Sequence, residues 1–331
     1  MKYQTENFVK AFELKNGPEG LYPWPIFLTQ NTDLEGFSGQ FAYKIITETG
    51  CFHPIEGMVV HPYDEILCFG SIYDKDMLYL GAEISIELGE EREEYIFTEP
   101  TIVTIPAGVP HGPVCVRRLY KPFAHFFFGL AGEYAATSIK SADQKSCGGK
   151  YAHLVKRFAC TPGALSFGSG MGYDPSDKYG IMRPEFAPPG MLGPGNADEM
   201  VWLFGNDLEG FKLNFLFGHY SKAGKWHRDG EAHTHPEEEI LIWVGFNPDN
   251  PYELGAEIEM GLGENDDRYI FSVPTVIIAP KGVPHLPEIT RWADRTYGFM
   301  VFSLDDEHRS PWIDSEGNEY EKNYTGDYKS R

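Results

Sequence analysis

The chain has 331 residues, 42% hydrophobic and 23% charged, a balance typical of folded protein that excludes a disordered chain and allows about two domains. Its 49 acidic residues against 28 Lys and Arg give a net charge of −21. Such a body repels phosphate backbones and anionic lipid, so nucleic acid and membrane surfaces are excluded as partners, and no apolar run is long enough to span a bilayer.

The N-terminus MKYQTENFVK lacks the basic-then-apolar pattern of a secretory leader. The five cysteines (Cys51, Cys68, Cys115, Cys147, Cys160) show no CxxC spacing. Both features predict a cytoplasmic protein with reduced thiols, some of them buried. From Asp33 to Leu130 the chain matches Asp207 to Leu304 without a gap, at an offset of 174. About a third of the aligned positions are identical, against roughly 6% expected by chance. The shared blocks are DLEGF, HP..EIL, LGAEI, YIF, PT and P.GVPH.

Within the first copy, AEISIELG alternates, with Ala82, Ile84, Ile86 and Leu88 on one face and Glu83, Ser85 and Glu87 on the other, as a strand does. TIVTIP (101–106) is β-branched and short, and FAHFFFGL suits a strand buried on both sides. PAGVP, NPDNP and PKGVP supply turns. Residues 131–200 break this pattern with CGGK, FGSGMG and APPGMLGPGN and predict a long connection that opens on a helix near 131–143. The second copy repeats the strand pattern, with TVIIAP (275–280) and GFMVFSL. The predicted fold is all-β, one sandwich or barrel per copy, with domains 1–145, 146–200 (connection) and 201–331.

The second copy carries His233-Thr234-His235-Pro236-Glu237-Glu238-Glu239. Residues i and i+2 of a strand share a face, so the two imidazoles project together. His285, in PKGVPH, supplies a third. Of the three glutamates, only Glu239 meets a glutamate, Glu65, in the other copy, which makes it the candidate carboxylate. Three His and one carboxylate form a transition-metal set that leaves two octahedral positions open. The first copy offers His61, Glu65 and His111, but Val59 stands opposite His233. Those three can hold iron in a facial arrangement or be a site that no longer binds metal.

His53 and His227 occupy matching positions. Both are read first as buried histidines bonded to backbone, and second as an extra ligand or proton shuttle. Arg117 and Arg291 also match; each is read as a surface ion pair or as a clamp on a substrate carboxylate. His125, opposite Phe299, is read as a satisfied core residue. Glu239, His227 and Arg291 are the catalytic candidates.

HxHx3E followed by PxGxxH, given twice, resembles the two-domain branch of the cupin superfamily, the bicupins, over about 33–130 and 207–304. The resemblance implies two tandem double-stranded β-helix, jelly-roll-like barrels with a metal in the barrel mouth. It maps the metal ligands onto His233, His235, Glu239 and His285. This sequence departs from the family pattern at Pro100 and Pro274, where the family has Gly, and at Cys115 and Ile289, where it has Asn. The expected cofactor is a divalent transition metal, Fe(II) first, with Mn, Ni, Cu or Zn also admitted by this donor set. The expected activity is dioxygenase-type oxidation of a small aromatic or enolic compound. The alternatives are a non-oxidative isomerase, decarboxylase or lyase at the same site, and a non-catalytic ligand-binding or storage bicupin. A homodimer is compatible with all three.

Overall fold

The structure is a computed structural model that describes residues 4–74, 76–139, 148–158, 196–226 and 232–308, with the backbone of 312–313 and 319–320. The alternating and β-branched segments form strands, as their side-chain period requires. Among the described residues there is no α-helix, only short 3-10 turns such as Thr5–Phe8. None is long and apolar enough to cross a membrane.

In the first barrel, a seven-stranded sheet runs Val155–Arg157, Thr101–Ile105, Glu65–Gly70, Phe123–Gly129, Gln40–Ile46, Ile26–Thr29, Leu14–Lys15. A second sheet runs Thr137–Ile139, Met58–Val60, His111–Leu119, Ala82–Leu88, Glu93–Phe97, with Gly50–Phe52 also paired to His111–Leu119. All of the sheet pairings are antiparallel. The core lies between the two sheets and includes Ile84, Ile86, Leu88, Val103, Val114, Phe123 and Phe127. Glu83 stays half-exposed on the outer face, whereas Ser85 and Glu87 are buried, and Arg92 donates to Glu87 at 2.6 Å.

The second barrel repeats this plan at the predicted offset. Asn214–Tyr220, Glu239–Gly245, Ala256–Leu262, Asp267–Phe271, Thr275–Ala279, His285–Ala293 and Tyr297–Ser303 each begin 174 residues after a first-barrel strand. The ungapped repeat is thus an ungapped repeat of backbone.

Two expectations are corrected. The stretch 131–139 contains bends and the strand Thr137–Ile139, not the start of a helix; its edge carbonyls and amides pair with Met58–Val60 instead. Residues 140–147 lie outside the described residues. Within the segment before the repeat, Leu14–Lys15 and Ile26–Thr29 join the sheet of the first barrel. Val9–Ala11 pairs with Thr275–Ala279 at the edge of the second, where Thr5 also donates to Asp267 at 2.7 Å. Val155–Arg157, from the connection, covers the matching edge strand Thr101–Ile105 of the first barrel. Each barrel therefore closes its exposed edge with a strand from outside the repeat, which removes an aggregation-prone template. Lastly, Cys51 and Cys115 form a disulfide, because the register sets them directly opposite each other. Cys68 is a buried free thiol; Cys147 and Cys160 lie outside the described residues.

Candidate metal centres

In the second barrel, His233 forms an isolated antiparallel bridge with His285, their backbones exchanging hydrogen bonds of 3.2 and 3.0 Å. This bridge carries the HxH segment across to the third imidazole. His235 Nε2 lies 3.0 Å from His233 Nε2, which lies 3.1 Å from His285 Nε2. Glu239 Oε2 is 3.2 Å from both His235 Nε2 and His285 Nε2. Its other oxygen accepts from the Ser303 hydroxyl at 2.9 Å. Burial alone would raise the Glu239 pKa, but the charge and hydrogen bonds of His235 and His285 hold it well below the usual carboxylate value. The structure thus brings together the four residues taken from the sequence.

One neighbour of this cluster was missed. Ligand atoms of His235, Glu239 and His308 also lie within 4.8 Å of one another. The His308 ring is buried 4.8 Å from that of His235, and burial lowers its pKa to about 3, so it is neutral. The signal was available: continued past Leu304, the offset of 174 sets His308 opposite Tyr134, whose ring packs 5.2 Å from His61.

The first barrel is more complete than its motif. Ligand atoms of His53, His61, Glu65 and His111 all lie within 4.8 Å of one another, and all four residues are buried. Glu65 Oε1 is 2.8 Å from His111 Nε2, 3.5 Å from His53 Nε2 and 3.7 Å from His61 Nε2. Val59 keeps the ligand position in backbone terms, opposite His111, while the third imidazole comes from His53, in the turn after Gly50–Phe52. The expectation that His53 bonds to backbone is corrected: its Nδ1 lies 2.9 Å from the Tyr22 hydroxyl.

His61 Nδ1 donates to the Ala135 carbonyl at 2.6 Å, and His111 Nδ1 donates to that of Val109 at 3.1 Å. A carbonyl can only accept, so each Nε2 is left with its lone pair turned inward. The Nε2 atoms of His53, His61 and His111 and both Glu65 oxygens are buried without a hydrogen-bond partner. Burial would raise the Glu65 pKa, but the neighbouring His111 ring, then that of His53, hold it well below the usual value. Burial lowers the His53 and His61 pKa values, which keeps both rings neutral. A buried carboxylate facing imidazole nitrogens that have no hydrogen-bond partner is costly without a cation. The donor set therefore fits a divalent transition metal, and each imidazole is anchored through its second nitrogen as metal-ligating histidines are.

A cavity of about 440 Å3 adjoins this cluster. Leu21, Pro54, Val59 and Tyr134 line it, with Glu19 and Glu56 among the lining; among the described residues no Lys or Arg takes part.

The other candidates fall elsewhere. Arg291 is not brought to the cluster. Its half-exposed guanidinium lies 3.4 Å from Glu257 and 3.8 Å from Glu259, on the outer face of the sheet, so the substrate-clamp reading is withdrawn. Arg117 does the same with Glu83 and Glu94. His227 lies outside the described residues. His125 is a satisfied core residue, donating from Nδ1 to the Cys68 carbonyl at 3.1 Å.

No family model matches the sequence, and no curated protein matches it. Solved structures do match. A single-residue variant of Bacillus subtilis oxalate decarboxylase aligns over 92% of this chain and 79% of its own, at 9% identity and a TM-score of 0.53. The same enzyme at pH 4.6 aligns over 92% and 78%, at 10% identity and 0.53. A structure from work on the Mn(II) centres of that enzyme aligns over 92% and 79%, at 10% identity and 0.53. Similarity at this identity establishes the fold, and the chain has the bicupin fold.

Proposed function

We propose that this bicupin is a metal-dependent enzyme acting on a small organic molecule. His233, His235, Glu239 and His285 would hold one divalent transition metal, and His53, His61, Glu65 and His111 a second. One observation carries the reading: in the first barrel the Nε2 atoms of His53, His61 and His111 and the Glu65 oxygens are buried without a hydrogen-bond partner, and ligand atoms of these four residues lie within 4.8 Å of one another. Fe(II) is the first choice of metal, with Mn, Ni, Cu and Zn admitted by the same donors. When bound, the ion supplies Lewis acidity toward substrate oxygens and, if it is iron, redox chemistry with dioxygen.

The leading activity is dioxygenase-type oxidation of an aromatic or enolic compound. The cavity beside the first cluster supports it, since apolar and aromatic side chains with two glutamates suit a neutral ring better than a dianion. The second reading is non-oxidative chemistry, decarboxylation foremost, because the matching structures are of an oxalate decarboxylase with Mn(II) centres. Among the described residues of the cavity lining there is no cationic clamp for a dicarboxylate, which ranks this reading below the first. A storage-like bicupin ranks third, because it has no use for two buried ligand sets.

Metal analysis of the purified chain and an oxygen electrode separate the three. Metal-free protein, inert after reconstitution, leaves the binding reading. Metal-loaded protein that turns substrate over under strict anaerobiosis excludes the dioxygenase. Cytoplasmic location and a homodimer belong to the same proposal. A Cys51–Cys115 pair that survives thiol blocking at lysis would instead place the chain in an oxidising compartment.

A further inference from the structure

The first barrel lacks the imidazole that its motif requires at Val59 and obtains one from His53. A borrowed ligand must present a lone pair and not an N–H, and three neighbouring groups decide which it presents. The Cys68 carbonyl oxygen can only accept, so His125 donates to it from Nδ1 at 3.1 Å and keeps a lone pair on Nε2. The Tyr22 hydroxyl lies 3.5 Å from that Nε2 and has a single proton to give. If it gives that proton to His125, its oxygen accepts from His53 Nδ1 at 2.9 Å. This direction satisfies every member of the chain and leaves His53 Nε2 bare toward Glu65 Oε1, 3.5 Å away. The order is Nδ1–H of His53 to Tyr22, Tyr22 to His125, and His125 to the backbone of the Glu65–Gly70 strand.

Two further facts point the same way. His53 is held at φ +49°, in the left-handed region that a non-glycine residue enters at a cost. The chain is also specific to this barrel. The positions matching Tyr22, His125 and Cys68 are Asn196, Phe299 and Ile242. Asn196 there donates to Thr290 Oγ1 at 2.7 Å. Among the described residues, the positions matching Tyr22 and His125 in the barrel with an intact HxH motif hold no tyrosine or histidine that could form such a chain; the barrel whose motif is broken at Val59 has both.

We propose that Tyr22 and His125 are positioning residues of the first-barrel centre, which hold His53 in the one tautomer that makes it a ligand and so replace the imidazole missing at Val59. The inference rests on the reading above that this cluster takes a divalent metal.

The test uses the full chain carrying His235→Ala, so that the second cluster is disabled, titrated with Co(II) alone and followed by its visible absorption, which reports coordination. Tyr22→Phe removes one oxygen and should weaken Co(II) binding about tenfold and alter the spectrum. His125→Phe installs the side chain that the second barrel already tolerates at the matching position, and should act in the same direction. His53→Ala should cost more than about a hundredfold, beyond the usual effect of an outer partner. Adding Val59→His should rescue binding in both the His53→Ala and Tyr22→Phe backgrounds, because an imidazole at 59 needs no chain; a merely structural role for Tyr22 predicts no rescue. If Tyr22→Phe and His125→Phe bind as the parent does while His61→Ala loses the metal, the centre stands and the positioning role is wrong. If the parent itself binds no Co(II), the centre is absent and the inference falls with it.

Discussion

The two barrels share one backbone and differ inside it. At matched positions the first has Val59, Val114, Cys115, His125 and Gly129 where the second has His233, Glu288, Ile289, Phe299 and Ser303. The first closes its Gly50–Phe52 edge with the Cys51–Cys115 disulfide; the second sets Lys225 opposite Ile289 there. The first assembles its ligand set by reaching to a turn for His53, the second by the plain HxH spacing. A duplicated fold can therefore keep a cluster of histidines and one glutamate in both copies while the side chains that build it come from different places. Backbone geometry defines where the cluster sits, and any imidazole that reaches that point can complete it.

The largest effects should test whether the two clusters are equivalent. On the motif alone, losing His61 should cost far less than losing His235. The structure changes that expectation. The intact chain should carry about two ions, and His235→Ala or His61→Ala about one each, read by elemental analysis with far-UV circular dichroism as the folding control. A chain with one ion that only His235→Ala removes would show that the first cluster is empty.

Next in size is a change confined to the first barrel. Cys115→Ser opens a cross-link between residues 64 apart and should lower stability by about 2–4 kcal/mol in urea, under non-reducing conditions. An unchanged urea midpoint would mean that the bridge is not formed in solution.

A smaller effect belongs to the second barrel. Glu288 is fully buried, accepts from Trp243 Nε1 at 3.0 Å on one oxygen and has no partner on the other. Burial raises its pKa to about 8 from the ordinary 4.5. Between those values the native state keeps a proton that the unfolded chain has released, so stability falls as pH rises and levels off above about 8. The limit is about 1.4 kcal/mol per pH unit. Glu288→Gln should remove this slope, measured as urea midpoints at the two ends of the window; an unchanged slope would assign it to another group. The first barrel, with Val114 at this position, has no counterpart.

The smallest effect should come from Ser303→Ala, which strips Glu239 Oε1 of its donor. Second-barrel metal affinity should drop about tenfold, with first-barrel affinity unchanged. Equal losses in both barrels would break the assumption that the clusters act independently.

Much of the molecule was legible in the chain because a repeat without gaps is strong evidence of one geometry used twice. The strands, their register offset and the cluster of His233, His235, Glu239 and His285 follow from that and from the two-residue period of a strand. The side-chain partner of His53 was not legible because Tyr22 lies 31 residues away in sequence, and His125, beyond Tyr22, lies 72 residues away. His308 was passed over because the identity between copies ends at Leu304 although the matching geometry runs on to Tyr134 and His308. Arg291 matched Arg117 for a reason unrelated to substrate, since both pair with glutamates on neighbouring strands.

By itself the amino-acid order determined the all-β class, the duplication and the motif residues that cluster in the second barrel, because these are local periodicities and spacings carried along one strand or one turn. The tertiary structure alone decided that Val9–Ala11 belongs to the second barrel, that Cys51 meets Cys115 and that His53 joins His61, Glu65 and His111. Those are meetings of residues distant in the chain, set by which strand lies beside which and by which side chain faces inward, and no local pattern encodes them.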